Sequence, residues 1–208
     1  MNKFKKALSV VGVGLLAASM VGCSSNSSES KSSSTGTKTT QQKKRKTEQK
    51  TAFREKYDKI KVGDVAQQGK GGASVDEVTA LLGQPNSTST AKVSGFKVKS
   101  YNWTKSGTDI LVQFAHKKAI TKTISGFKWN RTSKKLDLKA FNKVKDDSTY
   151  DALVKSFGEP DGLNESVTMG QTNVTAIYMT GIKGKDGATA TFVFDNNKLT
   201  SKAQTDLK

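Results

Sequence analysis

The sequence predicts an α+β protein of two tandem modules, each of two helices followed by an antiparallel sheet of three or four strands, with the sheets joined into one concave face. Three observations predict it. The region from residue 51 onward repeats itself in order. Tyr57-Asp58-Lys59-Ile60-Lys61 matches Phe141-Asn142-Lys143-Val144-Lys145, and Phe114 with Lys118 and Lys122 matches Phe194 with Lys198 and Lys202 at identical spacing. Between them, Val75-Asp76-Glu77-Val78 with Leu82-Gly83-Gln84-Pro85 matches Tyr150-Asp151-Ala152-Leu153 with Phe157-Gly158-Glu159-Pro160. Second, the apolar period is helical before each proline and alternates after it. Third, the chain's 2 prolines, Pro85 and Pro160, fall at equivalent positions.

The elements follow in order. From Thr51 to Lys61, Phe53, Tyr57 and Ile60 are spaced as one helix face requires, and Gly63 with the glycines from Gly69 to Gly72 ends that helix. Ser74-Val75-Asp76-Glu77 is a capping-box pattern: the serine oxygen accepts from a helix-start amide while the glutamate reaches back. A short helix follows with Val75, Val78 and Leu82 on its apolar face, stopped by Gly83 and Pro85. Tyr150, Leu153, Phe157, Gly158 and Pro160 repeat it. Strands are expected over 96–103, 109–114 and 119–124, and again over 174–179, 189–194 and 199–204, with turns at His116-Lys117 and Asp195-Asn196-Asn197. Weaker strands are expected over 87–93 and 163–169. In the strand from Phe96 to Trp103, Phe96, Val98, Ser100 and Asn102 share one face, and Tyr101 and Trp103 share the other. Helices on one face of such a sheet leave its other face uncovered.

Ahead of this region, residues 1–22 read as a secretion leader: Lys3, Lys5 and Lys6, then no charge from Ala7 to Gly22. That apolar run is shorter than the roughly 20 residues a membrane-spanning helix needs. It ends at Met20-Val21-Gly22-Cys23, which resembles the lipobox at which lipoprotein leaders are cut before a cysteine that is then acylated. Cys23 is the single cysteine, so no intrachain disulfide exists, and acylation at the first mature position accounts for it. Acyl methylenes bury at about 0.8 kcal/mol each, which makes two chains a stable anchor. The expected location is the extracytoplasmic face of a bacterial membrane. Residues 23–50, rich in Ser, Thr, Lys and Gln, cannot bury enough apolar surface to order themselves and read as a tether. The remaining divisions are 51–129 for the first module, 130–140 for a linker and 141–208 for the second.

The net charge is +17 and is spread along the chain, with one dense cluster at Lys43-Lys44-Arg45-Lys46 in the tether. Two readings of that cluster stand: a solvated basic linker, or a contact for anionic surfaces. Outside a membrane, lipid headgroups and anionic wall polymer are its counterparts rather than nucleic acid.

Catalytic constellations are thin. The chain has one histidine, His116, placed in a hairpin turn, so a metal site of His and Cys ligands is excluded by count. No G-x-S-x-G accompanies it. Asp146-Asp147 precedes a helix start, where negative charge complements the helix dipole. Gly69-Lys70-Gly71-Gly72 lacks the G-K-[ST] ending of a phosphate-binding loop. Neither an enzyme, a cofactor nor a small-molecule substrate is expected.

Lys59-Ile60-Lys61-Val62-Gly63-Asp64, Gly69-Lys70-Gly71-Gly72-Ala73-Ser74 and the repeated helix exit Leu82-Gly83-Gln84-Pro85 and Phe157-Gly158-Glu159-Pro160 resemble the lipoprotein relatives of β-lactamase inhibitory protein. More distantly they resemble small outer-membrane assembly lipoproteins that use one such module. The resemblance implies a non-catalytic surface that binds an exported protein. No stretch matches the inhibiting loops, and the inhibitor's disulfides have no counterpart here. Candidate surface residues are the strand aromatics Tyr101, Trp103, Trp129 and Tyr178, since such side chains bury large area at small entropic cost. The competing reading of these aromatics is core packing beneath the helices.

Overall fold

The computed structural model describes residues 51–93, 96–126 and 135–208. Helices α1 (Ala52–Asp58) and α2 (Val75–Leu82), with a 3-10 turn at Val65–Gln67 between them, precede strands β1 (Ser87–Val93), β2 (Phe96–Lys105), β3 (Thr108–Ala115) and β4 (Lys118–Ser125). Helices α3 (Leu138–Lys143) and α4 (Tyr150–Phe157) then precede β5 (Gly162–Thr168), β6 (Gln171–Tyr178), β7 (Gly184–Asp195) and β8 (Lys198–Leu207). Residues 1–50, with the leader, Cys23, the tether and Lys43-Lys44-Arg45-Lys46, lie outside the described residues, as does Trp129.

The expected fold class needs correction. The strands form one 8-stranded antiparallel sheet in the order β1-β2-β3-β4-β5-β6-β7-β8, mostly β in content with a few short helices, not two helix-sheet modules with separate sheets. The seam is β4 against β5, with Thr121↔Ser166, Lys122↔Glu165, Thr123↔Asn164 and Ile124↔Leu163 opposite each other. Two separate sheets would expose two additional strand edges with unpaired amides and carbonyls, and pairing across the seam removes both. The helices, 6–8 residues each, are too short to persist by themselves and are held by packing.

Local chemistry sets the helix ends. Ser74 and Glu77 form the capping box on α2, while Thr51, Asp137 and Thr149 cap α1, α3 and α4. α2 and α4 stop at Gly83 (φ 90) and Gly158 (φ 82), a backbone conformation that suits glycine.

Alternation sorts the strands. Ile110, Val112 and Phe114 of β3, Ile124 of β4, Ala176 and Tyr178 of β6 and Ala190, Phe192 and Phe194 of β7 are buried in a core cluster shared by both halves of the sheet. Tyr57, Ile60 and Val78 from the first helices, and Phe141 and Leu153 from the second pair, join the same cluster. Bulges between Gln113 and Phe114, and between Val193 and Phe194, shift the register at corresponding places in β3 and β7. Among the described residues, no helix is long and apolar enough to cross a membrane.

Candidate functional site

Three of the aromatics expected at a binding surface have side chains turned toward the helices. Trp103 is 2% exposed and donates its indole N–H to the Gly83 carbonyl at 2.8 Å. Tyr178 is 0% exposed and donates its hydroxyl to the Gly158 carbonyl at 2.8 Å. Each aromatic thus satisfies the carbonyl where a helix ends, which core packing demands of a buried polar edge. Tyr101 is half-buried between Trp103 and Phe114, with centroids 6.1 and 5.1 Å away. Their shared strand parity with core-facing residues was the available sign of this placement: Trp103 lies opposite Ile110.

At the seam, α1, α4 and strands β4 to β7 enclose a cleft of about 380 Å³ lined by Arg54, Tyr57, Lys122, Tyr150 and Glu165 among others. Arg54 is buried and bonds Asp58 at 2.9 Å and Glu159 at 3.0 Å. Lys122, also buried, donates to the Ile60 carbonyl at 2.8 Å and pairs with Glu165 at 3.2 Å. Its Nζ lies 4.8 Å from the Tyr57 ring centroid, a cation–π distance. Burial pushes the Tyr57 phenol well above its ordinary value, with Glu165 adding to the rise. Burial and then Glu159 do the same to Tyr150. Burial opposes the charge on Arg54, but the hydrogen bond and attraction of Asp58 outweigh it and raise its pKa. Both phenols stay protonated near neutral pH, and the Arg54 guanidinium stays charged. These bonds clamp α1 and α4 onto the seam.

The sheet face turned from the helices is different. Ser100, Gln113, Thr121, Thr123, Asn164, Ser166, Asn173 and Thr175 stand on it, half-buried. Gln113 donates to Ser100 at 3.4 Å, Thr121 to Gln113 at 3.0 Å, and Asn164 to Thr123 across the seam at 2.7 Å. These bonds fix a run of hydroxyl and amide groups, and Asp195, opposite Asn173, adds a carboxylate to the same face on β7.

The loop after α1 meets the β5–β6 turn, with Asp64 bridged to Val167 at the end of β5. Asp64, 6% exposed, accepts from the amides of Ala66 at 2.8 Å, Met169 at 3.1 Å and Gly170 at 2.7 Å. Burial works against its charge, yet the Gly170, Ala66 and Met169 amides outweigh it and hold the carboxyl below the usual range. The loop closes tightly at its root, where a Cβ on Gly63 would sit 2.2 Å from the Gly69 carbonyl oxygen. On either side of this clamp stand Met169, 75% exposed, and Val65, 40% exposed. Sequence reasoning assigned Asp64 no role; its partners lie 105 and 106 residues away. A separate groove of about 430 Å³ is lined by Lys59, Lys61 and Lys118 with Gly71, Gly72 and Glu77.

Among the described residues, no group of three His, Cys, Asp or Glu side chains could hold a metal ion. His116 lies exposed in the β3–β4 turn.

A crystal structure of a "putative beta-lactamase inhibitor protein" from Streptococcus mutans is similar to this chain at 29% identity and a TM-score of 0.63, covering 76% of this chain and 97% of that one. A cysteine-rich secretory protein from Staphylococcus aureus subsp. aureus Mu50 aligns at 11% identity and a TM-score of 0.26, over 65% of this chain and 44% of that one, too weakly to support an argument. No curated protein matches. A family model for a domain of unknown function with solved structure, DUF3862, matches residues 49–207, and the chain belongs to that family.

Proposed function

We propose that this chain is a non-catalytic module that binds another exported protein, held at the outer face of a bacterial membrane by lipid on Cys23. The observation that carries the binding reading is the pair of exposed apolar side chains, Met169 and Val65, on loops locked together by Asp64. A thioether exposed on a mobile tip would cost ordering entropy on contact; one on a turn already fixed by two amide–carboxylate bonds costs less. The run of hydroxyl and amide side chains on the sheet face adds neutral hydrogen-bonding groups. The inhibitor-type name of the streptococcal protein, which shares the fold, favours the same class of function. The lysine repeat, the two capped glycine exits and the paired bulges favour an internal duplication as the origin of the two halves. The leader and cysteine pattern favour the anchor.

A second reading, association with anionic wall polymer or lipid headgroups, is favoured by the groove between Lys59, Lys61 and Lys118 together with the basic tether. The two differ in salt response. Attraction between exposed charges fades beyond a Debye length of about 8 Å at physiological salt. The full chain is immobilised, exposed to envelope extract and washed at low and then high salt. One protein that survives high salt on the wild type and is lost on Met169→Asp supports protein binding. Loss of all bound material at high salt contradicts it and favours the polymer.

A further inference from the structure

We infer that β1 is a docking edge at which a partner protein adds an extended strand carrying acidic residues at alternate positions; the inference rests on the protein-binding reading above. The sheet has two edges, β1 and β8, and they are built differently. All residues of β1 pair with β2 in unbroken register, from Ser87↔Asn102 to Val93↔Phe96. On the other side of the strand, amides and carbonyls therefore point outward at regular spacing. Every residue from Ser87 to Lys92 is exposed. Such an edge is a template for strand addition, and natural sheets guard it with bulges, charges or covering segments.

β8 carries those guards. Its register with β7 shifts twice, Asp206 has φ 54 and pairs with Lys185 at 3.4 Å, and the Lys208 carbonyl accepts from the Leu138 amide at 3.0 Å. β1 has only Lys92, near its end.

Charge selects the occupant. Residues 87–105 contain Lys92, Lys97, Lys99 and Lys105 and no acid. The register sets Lys92 opposite Lys97 and Thr90 opposite Lys99, so Lys92, Lys97 and Lys99 crowd one face at the open edge, all exposed. Like charges directly opposite each other destabilise a strand pair, and acidic side chains on an added strand relieve them. A second copy of this chain brings the same lysines to the edge, and residues 23–50, with Lys43-Lys44-Arg45-Lys46, carry the same sign. Side chains two apart on an added strand share a face, so alternate acids meet the lysines while backbone bonds supply affinity.

The test is a nuclear magnetic resonance titration of the full chain with three synthetic peptides. One alternates threonine and glutamate, one alternates threonine and lysine, and one is the glutamate peptide with alternate amides N-methylated. The expected result is saturable shifts of the amides at 87–93 with the first peptide, and binding about tenfold weaker or more with the other two. In the Lys97→Glu/Lys99→Glu variant, both positions being exposed, preference is expected to pass to the lysine peptide. Absence of saturable shifts in β1, equal binding of the N-methylated peptide, or equal shifts with inorganic polyphosphate would overturn the inference. A protein captured through the high-salt wash alongside any of these results leaves the protein-binding reading standing and removes only the edge.

Discussion

The two halves of the sheet solve one problem with different margins. In the first, Lys122 of β4 reaches the carbonyls of Tyr57 and Ile60 at the end of α1; in the second, Lys202 of β8 reaches those of Phe141, Asn142 and Val144 at the end of α3. Each ammonium sits at a helix C-terminal end, where the dipole is negative, and the Tyr57 and Phe141 carbonyls it reaches also accept from the Ile60 and Val144 amides. Lys122 lies at the middle of the sheet, is 4% exposed and also pairs with Glu165 of β5, whereas Lys202 lies on the edge strand and is half-buried. The difference teaches that position in the sheet decides how much the same contact weighs. At the seam the lysine also ties one half to the other.

Substituting these lysines with methionine, which keeps most of the stem, breaks the comparison most sharply. Lys122→Met takes the ion-pair partner from Glu165 and the lysine donor from the Ile60 carbonyl, at an expected cost of about 3–5 kcal/mol in urea unfolding. Lys202→Met is expected to cost about 1–2 kcal/mol, since water reaches the vacated carbonyls. Equal costs would mean that the seam is no more buried than the edge.

Next come the aromatic caps. Trp103→Phe and Tyr178→Phe each leave a glycine carbonyl without its donor, at an expected cost of about 1–3 kcal/mol, read from the shift in the urea midpoint. Tyr178 is the more buried, so its cost is expected to be the larger.

A further contrast is one of pH. Asp64 in the first half and Asp161 in the second each accept from two consecutive loop amides, and the folded pKa of Asp64 lies below the ordinary value. The stability Asp64 contributes is therefore present above the unfolded pKa of about 3.9 and is lost as pH falls through the folded value. Amide exchange at Met169 and Gly170 is expected to lose protection in that acid range, and Asp64→Asn to abolish the dependence.

The smallest effect concerns the turns. His116 and Lys117 adopt φ 48 and 63, and Asn196 and Asn197 adopt φ 48 and 64. Asparagine tolerates this left-handed backbone and lysine does so less well. Lys117→Gly is expected to stabilise the protein by about 1 kcal/mol, and Asn197→Gly by less, in the same unfolding measurement.

Much of the fold was legible because each strand carries its own alternation and each helix its own cap. Ser74 with Glu77, and the glycines before Pro85 and Pro160, announced their helix ends in adjacent residues. That the sheets join was expected, but the strand pairing and register at the seam were not legible. Alternation tells which face a side chain takes and not which strand lies beside it, and Thr123 meets Asn164 across 41 residues. Lys122 and Lys202 were visible as a repeat, yet a lysine in an alternating strand gives no sign that helix carbonyls wait above it. The site was less legible still, because Asp64 gains its meaning from a turn formed much later in the chain.

A hydrogen-exchange footprint tests the central claim, that locked loops and a fixed polar sheet face make one non-catalytic contact surface. The chain is compared with and without the protein retained through the high-salt wash. Slowed exchange is expected at 63–72 and 165–172 and along the β1 edge, with the seam cleft around Lys122 unchanged. Slowing confined to that cleft, with 63–72 and 165–172 unaffected, would contradict it.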